Sequence, residues 1–509
     1  MNKKELERFE KQQLVDVSKT LNERKQLGQF STPYSLAEEI ADYGLKHLDK
    51  EADISFLDPA LGSGVFFSAL MAQSSGYRLK RMLGYELDPD YGEIARKLWG
   101  SRLEVRIGDF LVAKPDRQVN LLLANPPYVR HHFLPVDYKN KLLAQIQRET
   151  AVPLSGYASL YSHFILLAHK WLKPHAICGW LIPSEFMDVN YGQELKKYLL
   201  NHVKLLRIHR YDPNALQFKD ALVSSSVLWY ENTVCRQDYD VELSFGGTHD
   251  HPDISRKIPK SVLEKEPKWT KLTHHPKPAS ETSLDRIEDF FDIKRGCATG
   301  DNAFFIMDQQ KIQKNGLSMD YMHPILPSPR FLGTDVIEAN PDGSPVMEKP
   351  YYLINCTLLE EDLQKLYPEL WNYLQKGIDT VSNRYLCKNR KRWYFQERRA
   401  SPPLLCTYMG RKKTAESKPF HFIRNYSNAI ATNSYLMLYP KGDLLSAMGK
   451  DPKLLDNVWL YLNRLSTDII EQEGRVYGGG LKKIEPRELG KVPCPGVREL
   501  IEQSQKNSF

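Results

Sequence analysis

A chain of 509 residues, 41% hydrophobic and 26% charged, is too long for one ordinary core and predicts a globular protein of two domains. The seven cysteines are scattered without a CxxC pair, and residues 1–25 lack the apolar core of a signal peptide, which argues against a disulfide framework, a zinc site and secretion. A net charge of +7 does not by itself indicate a nucleic-acid-binding protein, and no apolar run is long enough to cross a bilayer. We therefore expect a cytoplasmic protein without membrane contact and without a metal.

The first half of the chain alternates short apolar runs with helical patterns between residues 54 and 230. This alternation predicts an α/β domain of Rossmann-like type, with a mostly parallel sheet and helices on both faces. The predicted strands are 54–57, 82–85, 103–107, 120–124, 176–182, 205–209 and 223–230. Polar or glycine-rich residues follow the first four, where open α/β sheets bind ligands. Residues 3–23 also look helical, but the sequence suggests no role for them.

Three of these strand ends carry residues suited to a nucleoside ligand. The first strand ends in Asp58-Pro59-Ala60-Leu61-Gly62-Ser63-Gly64, where Gly62 and Gly64 would let the backbone approach a ligand closely. After the second strand, Glu86 is placed to accept hydrogen bonds from two ribose hydroxyls. After the third strand, Asp109 is placed to bind an adenine amino group, with Phe110 available for its ring face.

The glycine-rich turn has two alternative interpretations, a tight turn without a ligand and a dinucleotide site. The dinucleotide fingerprint requires a third glycine for close helix packing, and Phe67 stands at that position. Asp58 would repel a diphosphate, whereas it would not repel a cationic sulfonium. The sequence therefore favours S-adenosylmethionine over a dinucleotide.

The tetrapeptide Asn125-Pro126-Pro127-Tyr128 directly follows the fourth strand. Two prolines stop the strand ladder and hold the loop rigid, so that the Asn125 side-chain oxygen and the Pro126 carbonyl can converge on one point. Two such acceptors suit a planar amino group, whose nitrogen lone pair would then face a methyl sulfonium while Tyr128 stacks on the base. The alternative is a Pro-Pro loop exit without chemistry, but the register with the preceding strand ends favours a site.

The order of these motifs resembles that of the gamma-class, TaqI-type adenine-N6 DNA methyltransferases of type II restriction–modification systems. Gly28-Gln29-Phe30-Ser31-Thr32-Pro33 is similar to the family's opening motif, which implies that Phe30, Thr32 and Pro33 fold over the methionine part of the cofactor. The resemblance extends the cofactor contacts to the following residues: Asp58, Ala60, Gly62, Gly64, Glu86, Leu87, Asp109, Phe110 and Asn125. Leu61 departs from the family, in which cysteine is common at this position.

The same resemblance implies that the target adenine is extruded from the duplex, because a stacked base cannot present its amino nitrogen in line with the sulfonium. Phe218 matches the family's second aromatic contact to the flipped base, opposite Tyr128. The implied catalytic set is therefore Asn125, Pro126, Pro127, Tyr128 and Phe218. The implied product is S-adenosyl-L-homocysteine.

The second half predicts a separate α+β target-recognition domain at residues 246–509, after a catalytic domain at 1–245, with a linker at about 246–285. Its segments 295–302, 433–435 and 474–481 resemble those of the family's recognition domains. Ten basic residues interleaved with aromatics between residues 381 and 415 favour contact with double-stranded DNA; the alternative is a solvated charged surface. The predicted DNA contacts are Arg384, Lys388, Arg390, Arg392, Arg475 and Tyr477.

Other classes of function share parts of this pattern. The same tetrapeptide serves enzymes that methylate protein glutamine or RNA guanine, which rarely carry a large basic domain after the catalytic one. A modification subunit of a multisubunit restriction enzyme usually carries a long helical domain before the first motif. A non-catalytic DNA-binding module is disfavoured by the intact Asn125, Pro126 and Tyr128. We expect a monomer and leave open whether a separately encoded restriction endonuclease is its partner.

Overall fold

The structure, a computed structural model, describes residues 3–506 except 21–22, 25–26, 213–223, 274–284, 412–416 and 478–479. The chain forms two compact units. The first comprises Met1–Pro278 together with Tyr477, and the second comprises Ala279–Val476 and Gly480–Phe509. Within the described ranges, no helix is both long and apolar enough to cross a membrane.

The first unit is built on a nine-stranded sheet in the order β3-β2-β1-β4-β5-β7-β6-β8-β9. Its strands are β1 (Asp53–Asp58), β2 (Arg78–Glu86), β3 (Glu104–Ile107), β4 (Val119–Ala124), β5 (Leu172–Pro183), β6 (Lys204–Arg210), β7 (Ser225–Glu231), β8 (Asp240–Phe245) and β9 (Ile254–Pro259). Strands β1 to β5 are parallel, whereas β7 runs antiparallel between β5 and β6. The seven predicted strands are confirmed, and the order departs from the dinucleotide-binding 3-2-1-4-5-6 by the insertion of β7.

Helices cover both faces of this sheet, as the alternation of apolar residues predicted. They are α1 (Lys3–Ser18), α2 (Tyr34–Lys46), α3 (Val65–Gln73), α4 (Pro89–Trp99), α5 (Val136–Thr150), α6 (Leu160–Ala168), α7 (Gln193–Asn201) and α8 (Lys260–Lys265). Successive residues of one strand belong to opposite cores, since Phe56 packs in one apolar cluster and Leu57 in the other. The predicted α/β fold class is confirmed.

The first unit continues beyond the predicted boundary at residue 245. Strand β9 pairs antiparallel with β8 from Phe245↔Ile254 to Asp240↔Pro259, and α8 follows it directly. The high content of proline and charged residues in this segment suggested an irregular linker. An edge strand tolerates such a composition, because one side of its backbone ladder faces away from the sheet.

The second unit is α+β, as predicted. Its strands are β10 (Phe291–Arg295), β11 (Ile306–Asp308), β12 (Met322–Leu326), β13 (Val336–Ile337), β14 (Tyr351–Ile354), β15 (Leu404–Thr407), β16 (Met409–Gly410), β17 (Phe422–Asn425), β18 (Ile430–Ala431), β19 (Tyr435–Pro440), β20 (Arg475–Tyr477) and β21 (Leu481–Lys483). A five-stranded sheet, β10-β19-β15-β17-β13, and a four-stranded sheet, β11-β14-β12-β18, carry most of them.

The helices of the second unit are short and pack against these sheets. They are α9 (Ile287–Phe290), α10 (Asn302–Phe305), α11 (Gln309–Lys314), α12 (Glu360–Leu366), α13 (Pro368–Gln375), α14 (Tyr385–Lys388), α15 (Gly442–Met448), α16 (Leu454–Arg464), α17 (Thr467–Glu473), α18 (Pro486–Gly490) and α19 (Pro495–Lys506). Buried Leu436 and Leu438 of β19 share one core with Val458 and Leu462 of α16.

Candidate active site

A cavity of about 780 Å³ opens at the carboxyl ends of β1, β2, β3 and β4 in the first unit. Its volume lies within the range of small-molecule sites, roughly 300–1,000 Å³. The predicted site residues that line it are Phe30, Thr32, Ala60, Gly62, Glu86, Leu87, Asp109, Phe110, Asn125 and Pro127. The sheet thus brings together residues that are up to 97 positions apart in the chain, from Phe30 to Pro127.

Glu86 links the ends of β1 and β2 at the floor of the cavity. Its Oε2 accepts a hydrogen bond from the Gly62 N–H at 2.7 Å, and its Oε1 accepts from the Asp88 N–H at 2.9 Å. Burial raises the pKa of the Glu86 carboxyl, while the two N–H donors act to lower it. Each oxygen retains a second lone pair, so the carboxylate can still accept from two ligand hydroxyls.

Asp109 is oriented from two sides at the end of β3. Its Oδ1 accepts from the Leu111 N–H at 2.9 Å, and its Oδ2 accepts from the Tyr138 hydroxyl of α5 at 2.6 Å. Phe110 is buried, with one face stacked on Phe164 at a centroid distance of 5.8 Å. Leu87, by contrast, is 64% exposed at the cavity wall, where it offers apolar surface to a flat ring.

The two predicted glycines of the first turn have different roles. Gly62 has φ +57°, and a Cβ at this position would meet no atom within 4 Å, in keeping with a backbone that faces the cavity. Gly64 has φ +90°, but its Cβ would lie 2.6 Å from the Trp99 indole nitrogen. The prediction that Gly64 approaches the ligand is therefore corrected: this glycine makes room for Trp99, which packs beneath the turn.

Asn125 is fixed by its amide nitrogen. Nδ2 donates to the Phe30 carbonyl at 3.2 Å and to Thr32 Oγ1 at 2.9 Å, so both of its N–H groups are engaged. Oδ1 is buried and accepts no hydrogen bond from any side chain or backbone group of the described residues. A buried acceptor of this kind is costly unless a ligand supplies the donor.

The rest of the tetrapeptide lies around this amide. The Tyr128 hydroxyl donates to the Leu181 carbonyl at 3.1 Å, and its ring lies 5.9 Å from that of Phe30, tilted by 35°. A Cβ on Gly28, which has φ +66°, would lie 2.6 Å from the Tyr128 backbone nitrogen. The opening motif therefore packs directly on the tetrapeptide. Phe218 lies outside the described residues.

Asp58 and Pro33 support the cavity without lining it. Asp58 is fully buried; Oδ1 accepts from the Ala60 N–H at 3.0 Å, and Oδ2 has no partner among the described residues. Burial raises the pKa of the Asp58 carboxyl well above its usual range; the Ala60 N–H lowers it, and the Glu86 charge raises it further. Pro33 is the residue that precedes α2.

The donor and acceptor groups fit S-adenosylmethionine. Three buried acceptors at or beside the cavity lack partners within the described part of the chain: Gln29 Oε1, Asp58 Oδ2 and Asn125 Oδ1. S-adenosylmethionine carries a sulfonium, an ammonium, two ribose hydroxyls and an adenine amino group, which are donors or cations. A diphosphate would bring acceptors and negative charge to the same groups.

Two residues that contribute to this site, Gln12 and Tyr138, were not predicted from the sequence. Gln12 of α1 lines the cavity and bonds to Ser63 of the glycine-rich turn, 51 residues away. Tyr138 reaches Asp109 from α5. The sequence offers a helical pattern for both segments, but no local signal indicates which side chains of a helix reach a distant strand end.

The predicted DNA contacts of the second unit differ in exposure. Lys388 and Arg392 are exposed, and Arg384 is 56% exposed with an ion pair to Asp301 at 3.0 Å. Arg475 pairs with the buried Glu488 at 2.8 Å. Tyr477 is half-buried in β20 and belongs to the first unit.

Arg390 has a supporting role within the second unit. Its two terminal nitrogens donate to the carbonyls of Thr299 at 2.8 Å and Ala298 at 2.6 Å, and burial lowers its pKa. The aromatic residues between these basic residues were expected to contact DNA. Instead, Tyr394 is buried in an apolar core, and Trp393 and Phe395 pack against that core. That interpretation is corrected: in this stretch the aromatic side chains pack toward the core, while the basic residues between them face the surface.

Two families of known proteins match most of this chain. Residues 103–217 match the family described as Eco57I restriction-modification methylase, and residues 270–509 match the family described as Type II methyltransferase M.Eco57I, C-terminal domain. Type II methyltransferase M.AccI of Acinetobacter calcoaceticus is 26% identical over 94% of this chain and 87% of its own length. Type II methyltransferase M.XamI of Xanthomonas campestris pv. amaranthicola is 25% identical over 87% and 81%.

Solved structures support the fold. The chain is similar to the Type IIL restriction-modification enzyme MmeI in complex with DNA, with a TM-score of 0.53, 12% identity and coverage of 90% of this chain. The DrdV–DNA complex gives a TM-score of 0.51, 10% identity and coverage of 95%. The chain spans 64% and 57% of the length of these two chains.

Sheet order, cavity and relatives together define a methyltransferase. Over most of its length the chain is similar to the type II DNA methyltransferases of restriction–modification systems, as its motifs predicted.

Proposed function

We propose that this protein transfers a methyl group from S-adenosylmethionine to the exocyclic N6 of an adenine that is flipped out of a specific double-stranded DNA sequence. The observation that carries the proposal is the Asn125 amide, whose nitrogen is tied to Phe30 and Thr32 while its buried oxygen has no partner within the described residues. That oxygen suits a donor brought by the substrate.

Asn125 would accept one amino hydrogen of the adenine through Oδ1, and the Pro126 carbonyl would accept the other. Two acceptors that converge on the amino hydrogens would localise the nitrogen lone pair, which is otherwise delocalised into the base, and orient it toward the methyl group. S-adenosylmethionine, when bound, supplies a methyl group on a sulfonium. The side chains act mainly by position and electrostatics, because the methylated nitrogen is cationic and acidic enough to lose its extra proton to water without a strong base.

We propose base flipping because the acceptor oxygen of Asn125 is buried. An adenine inside a duplex cannot reach a buried amide, so the base must leave the stack. Tyr128 is the aromatic residue next to these acceptors, and we propose that its ring stacks on the extruded base, with Phe218 as its counterpart. Pro127 would keep the loop rigid while the base enters.

The remaining cofactor contacts follow from the geometry of the cavity. Glu86 would hold the ribose hydroxyls, and Asp109 the adenine amino group, with Leu87 and Phe110 beside the ring. Phe30, Thr32, Ala60 and Gly62 would surround the methionine part, with the Asp58 carboxyl behind them. We further propose that the enzyme acts as a monomer in a prokaryotic cytoplasm, protecting DNA from a separately encoded endonuclease.

The test is to incubate the purified protein with S-adenosylmethionine and mixed-sequence DNA, digest the DNA to nucleosides and identify the methylated nucleoside by mass spectrometry. We expect N6-methyl-2′-deoxyadenosine to be the only methylated nucleoside. Methylation of cytosine would contradict the assigned base. The same assay is repeated with RNA and with protein in place of DNA. Methylation of RNA or protein but not of DNA would favour guanine or glutamine as the acceptor at the same tetrapeptide.

A further inference from the structure

Helix α1 reaches the cavity through a chain of buried polar side chains. Arg8 is 2% exposed and makes two hydrogen bonds to the fully buried Glu5, from Nε at 2.8 Å and from Nη2 at 2.6 Å. Its Nη1 donates to Ser63 Oγ at 2.5 Å and also to Gln12 Oε1. A guanidinium is thus held, with its charge balanced, directly behind the glycine-rich turn.

Gln12 and Ser63 are the members of this set of side chains that line the cavity. Gln12 Oε1 accepts from Arg8 and from Ser63 Oγ, the latter at 2.5 Å, and Gln12 Nε2 donates to Ser31 Oγ. These contacts fix which end of the amide is the donor end. An amide nitrogen carries two N–H groups, and only one partner of Nε2 is present among the described residues, so a second N–H is available.

The cavity wall beside Gln12 offers N–H donors, in contrast to the acidic groups of Asp58 and Glu86 on the other side. Ser63 precedes Gly64 and the first turn of α3, whose Val65 and Phe66 line the cavity. The free backbone N–H groups of a helix N-terminus favour negative charge, and Arg8 lies behind the same turn. A carboxylate would therefore be held on this side and an ammonium on the other.

We propose that Gln12 donates a hydrogen bond to the carboxylate at the amino-acid end of the cofactor, which makes α1 a part of the cofactor site. This inference rests on the proposed use of S-adenosylmethionine. The amino-acid end carries both a carboxylate and an ammonium, which matches the two opposed walls. Arg8, Glu5 and Ser63 are positioning residues, since they hold the Gln12 amide and do not themselves need to contact the ligand.

The test compares two neutral-sulfur ligands that differ only in the amino-acid end. S-adenosylhomocysteine has it, whereas 5′-methylthioadenosine ends in a methyl group. Dissociation constants are measured by calorimetry on the full chain for the wild type, Gln12→Ala and Gln12→Glu. The glutamate variant keeps an oxygen for Arg8 and Ser63, and thermal unfolding checks that it is folded. Lys11→Ala is the matched control, because Lys11 pairs with Glu7 on the exposed side of the same helix.

We expect both Gln12 variants to weaken S-adenosylhomocysteine binding about tenfold or more, the loss of one hydrogen bond to a charged group, and to leave 5′-methylthioadenosine binding within about twofold. Lys11→Ala should change neither constant. Equal weakening of both ligands, or no change in either, would overturn the role of Gln12. A wild-type protein that binds neither ligand would overturn the proposed function itself.

Discussion

At the scale of single residues, the chemistry depends on which end of one amide is free. Asn125 Nδ2 donates to the Phe30 carbonyl and to Thr32 Oγ1, and because a carbonyl cannot donate, only the nitrogen of the amide can face Phe30. The amide is therefore oriented before any substrate arrives. Orientation in advance is what makes an acceptor effective during reaction, because no reorganisation remains to be done.

Replacing Asn125 by alanine should lower the methylation rate by about 10²-fold or more, the usual effect of losing one preorganised polar group. Binding of S-adenosylhomocysteine should change far less, since the amide oxygen faces the substrate amino group. Rates come from transfer of labelled methyl groups to DNA, and affinities from calorimetry. Methylation at the wild-type rate would refute the assigned role.

Thr32→Val offers a milder test of the same amide. Valine keeps the shape of threonine but removes the Oγ1 acceptor, so Asn125 would be held by the Phe30 carbonyl alone. The rate constant kcat should fall about fivefold with little change in the KM for DNA, as expected for one lost hydrogen bond of about 1 kcal/mol. A change in KM without a change in kcat would indicate that Thr32 contacts substrate instead of orienting Asn125.

Asp58 makes cofactor affinity depend on pH. Burial raises the pKa of its carboxyl well above its usual range, and below this raised pKa a cationic ligand would have to displace the proton of Asp58. Affinity for S-adenosylmethionine should therefore increase as pH rises through this raised pKa, by up to about tenfold per pH unit. Glu86, whose pKa is also raised by burial, adds to the effect.

Calorimetry across this pH range, on the wild type and Asp58→Asn, checks the sign. The asparagine variant should bind more weakly at high pH and lose the part of the pH dependence that belongs to Asp58. The uncharged ligand 5′-methylthioadenosine should show little pH dependence in either protein. Affinity for S-adenosylmethionine that falls with rising pH would contradict the assignment of Asp58 as the partner of a cationic ligand.

At the scale of elements, the sequence predicted the strands well because their signal is local. Short apolar runs ended by Asp58, Glu86, Asp109 and Asn125 place four polar residues at one edge of a parallel sheet. The same locality explains the failures. Gly64 was assigned to the ligand although Trp99, 35 residues later, is what requires it, and β9 was assigned to a linker because an edge strand can carry a loop-like composition.

Helix α1 shows where prediction from sequence stops. Its helical pattern is visible, but its buried face is polar, with Glu5, Arg8 and Gln12 all inward. A pattern of polar residues normally indicates a solvated face. These side chains bond to one another, and Ser63 from a distant turn completes their hydrogen bonds, a contact that no local rule specifies.

The packing of the opening motif on the tetrapeptide gives a prediction at this scale. In Gly28→Ala, the new Cβ would be 2.6 Å from the Tyr128 nitrogen and 3.0 Å from the Pro127 carbonyl carbon, which are backbone atoms that cannot move aside cheaply. We expect the free energy of unfolding to fall by about 2–4 kcal/mol and methylation to fall with it. Denaturant unfolding and methyl transfer measure the two effects.

Gly76→Ala is the matched control. Gly76 also has a positive φ, +84°, but a Cβ there would meet no atom within 4 Å. The substitution should lower the free energy of unfolding by only about 1 kcal/mol, because alanine must adopt the left-handed backbone conformation, and it should leave methylation unchanged. Equal effects of the two substitutions would show that Gly28 matters for its φ angle and not for its contact with the tetrapeptide.

At the scale of the whole molecule, one chain carries a catalytic unit and a second α+β unit that methyl transfer itself does not require. The motifs predicted which residues of the first unit lie at the strand ends, whereas the DNA contacts of the second unit were predicted from composition and, for Arg475 and Tyr477, from a looser resemblance. Composition failed for Arg390, which holds the Ala298 and Thr299 carbonyls, because charge counts do not distinguish a surface cation from one that braces a turn.

DNA affinity tests the exposed cations of the second unit. Replacing Lys388 and Arg392 together by alanine should weaken binding similarly for all sequences and reduce the slope of log affinity against log salt by about 2, if each meets one phosphate. Lys450→Ala combined with Lys453→Ala is the control, since both lysines are exposed in the same unit outside the basic stretch. An unchanged salt slope in the first variant would remove Lys388 and Arg392 from the DNA interface.

The most direct single measurement is made on a whole genome. The protein is expressed in a host that lacks adenine methylation, and the host DNA is sequenced by a single-molecule method that detects N6-methyladenine. We predict methylation at one short sequence motif, present with the wild type and absent with Asn125→Ala. A genome without N6-methyladenine, from cells that contain folded protein able to bind S-adenosylhomocysteine, would contradict adenine in DNA as the substrate.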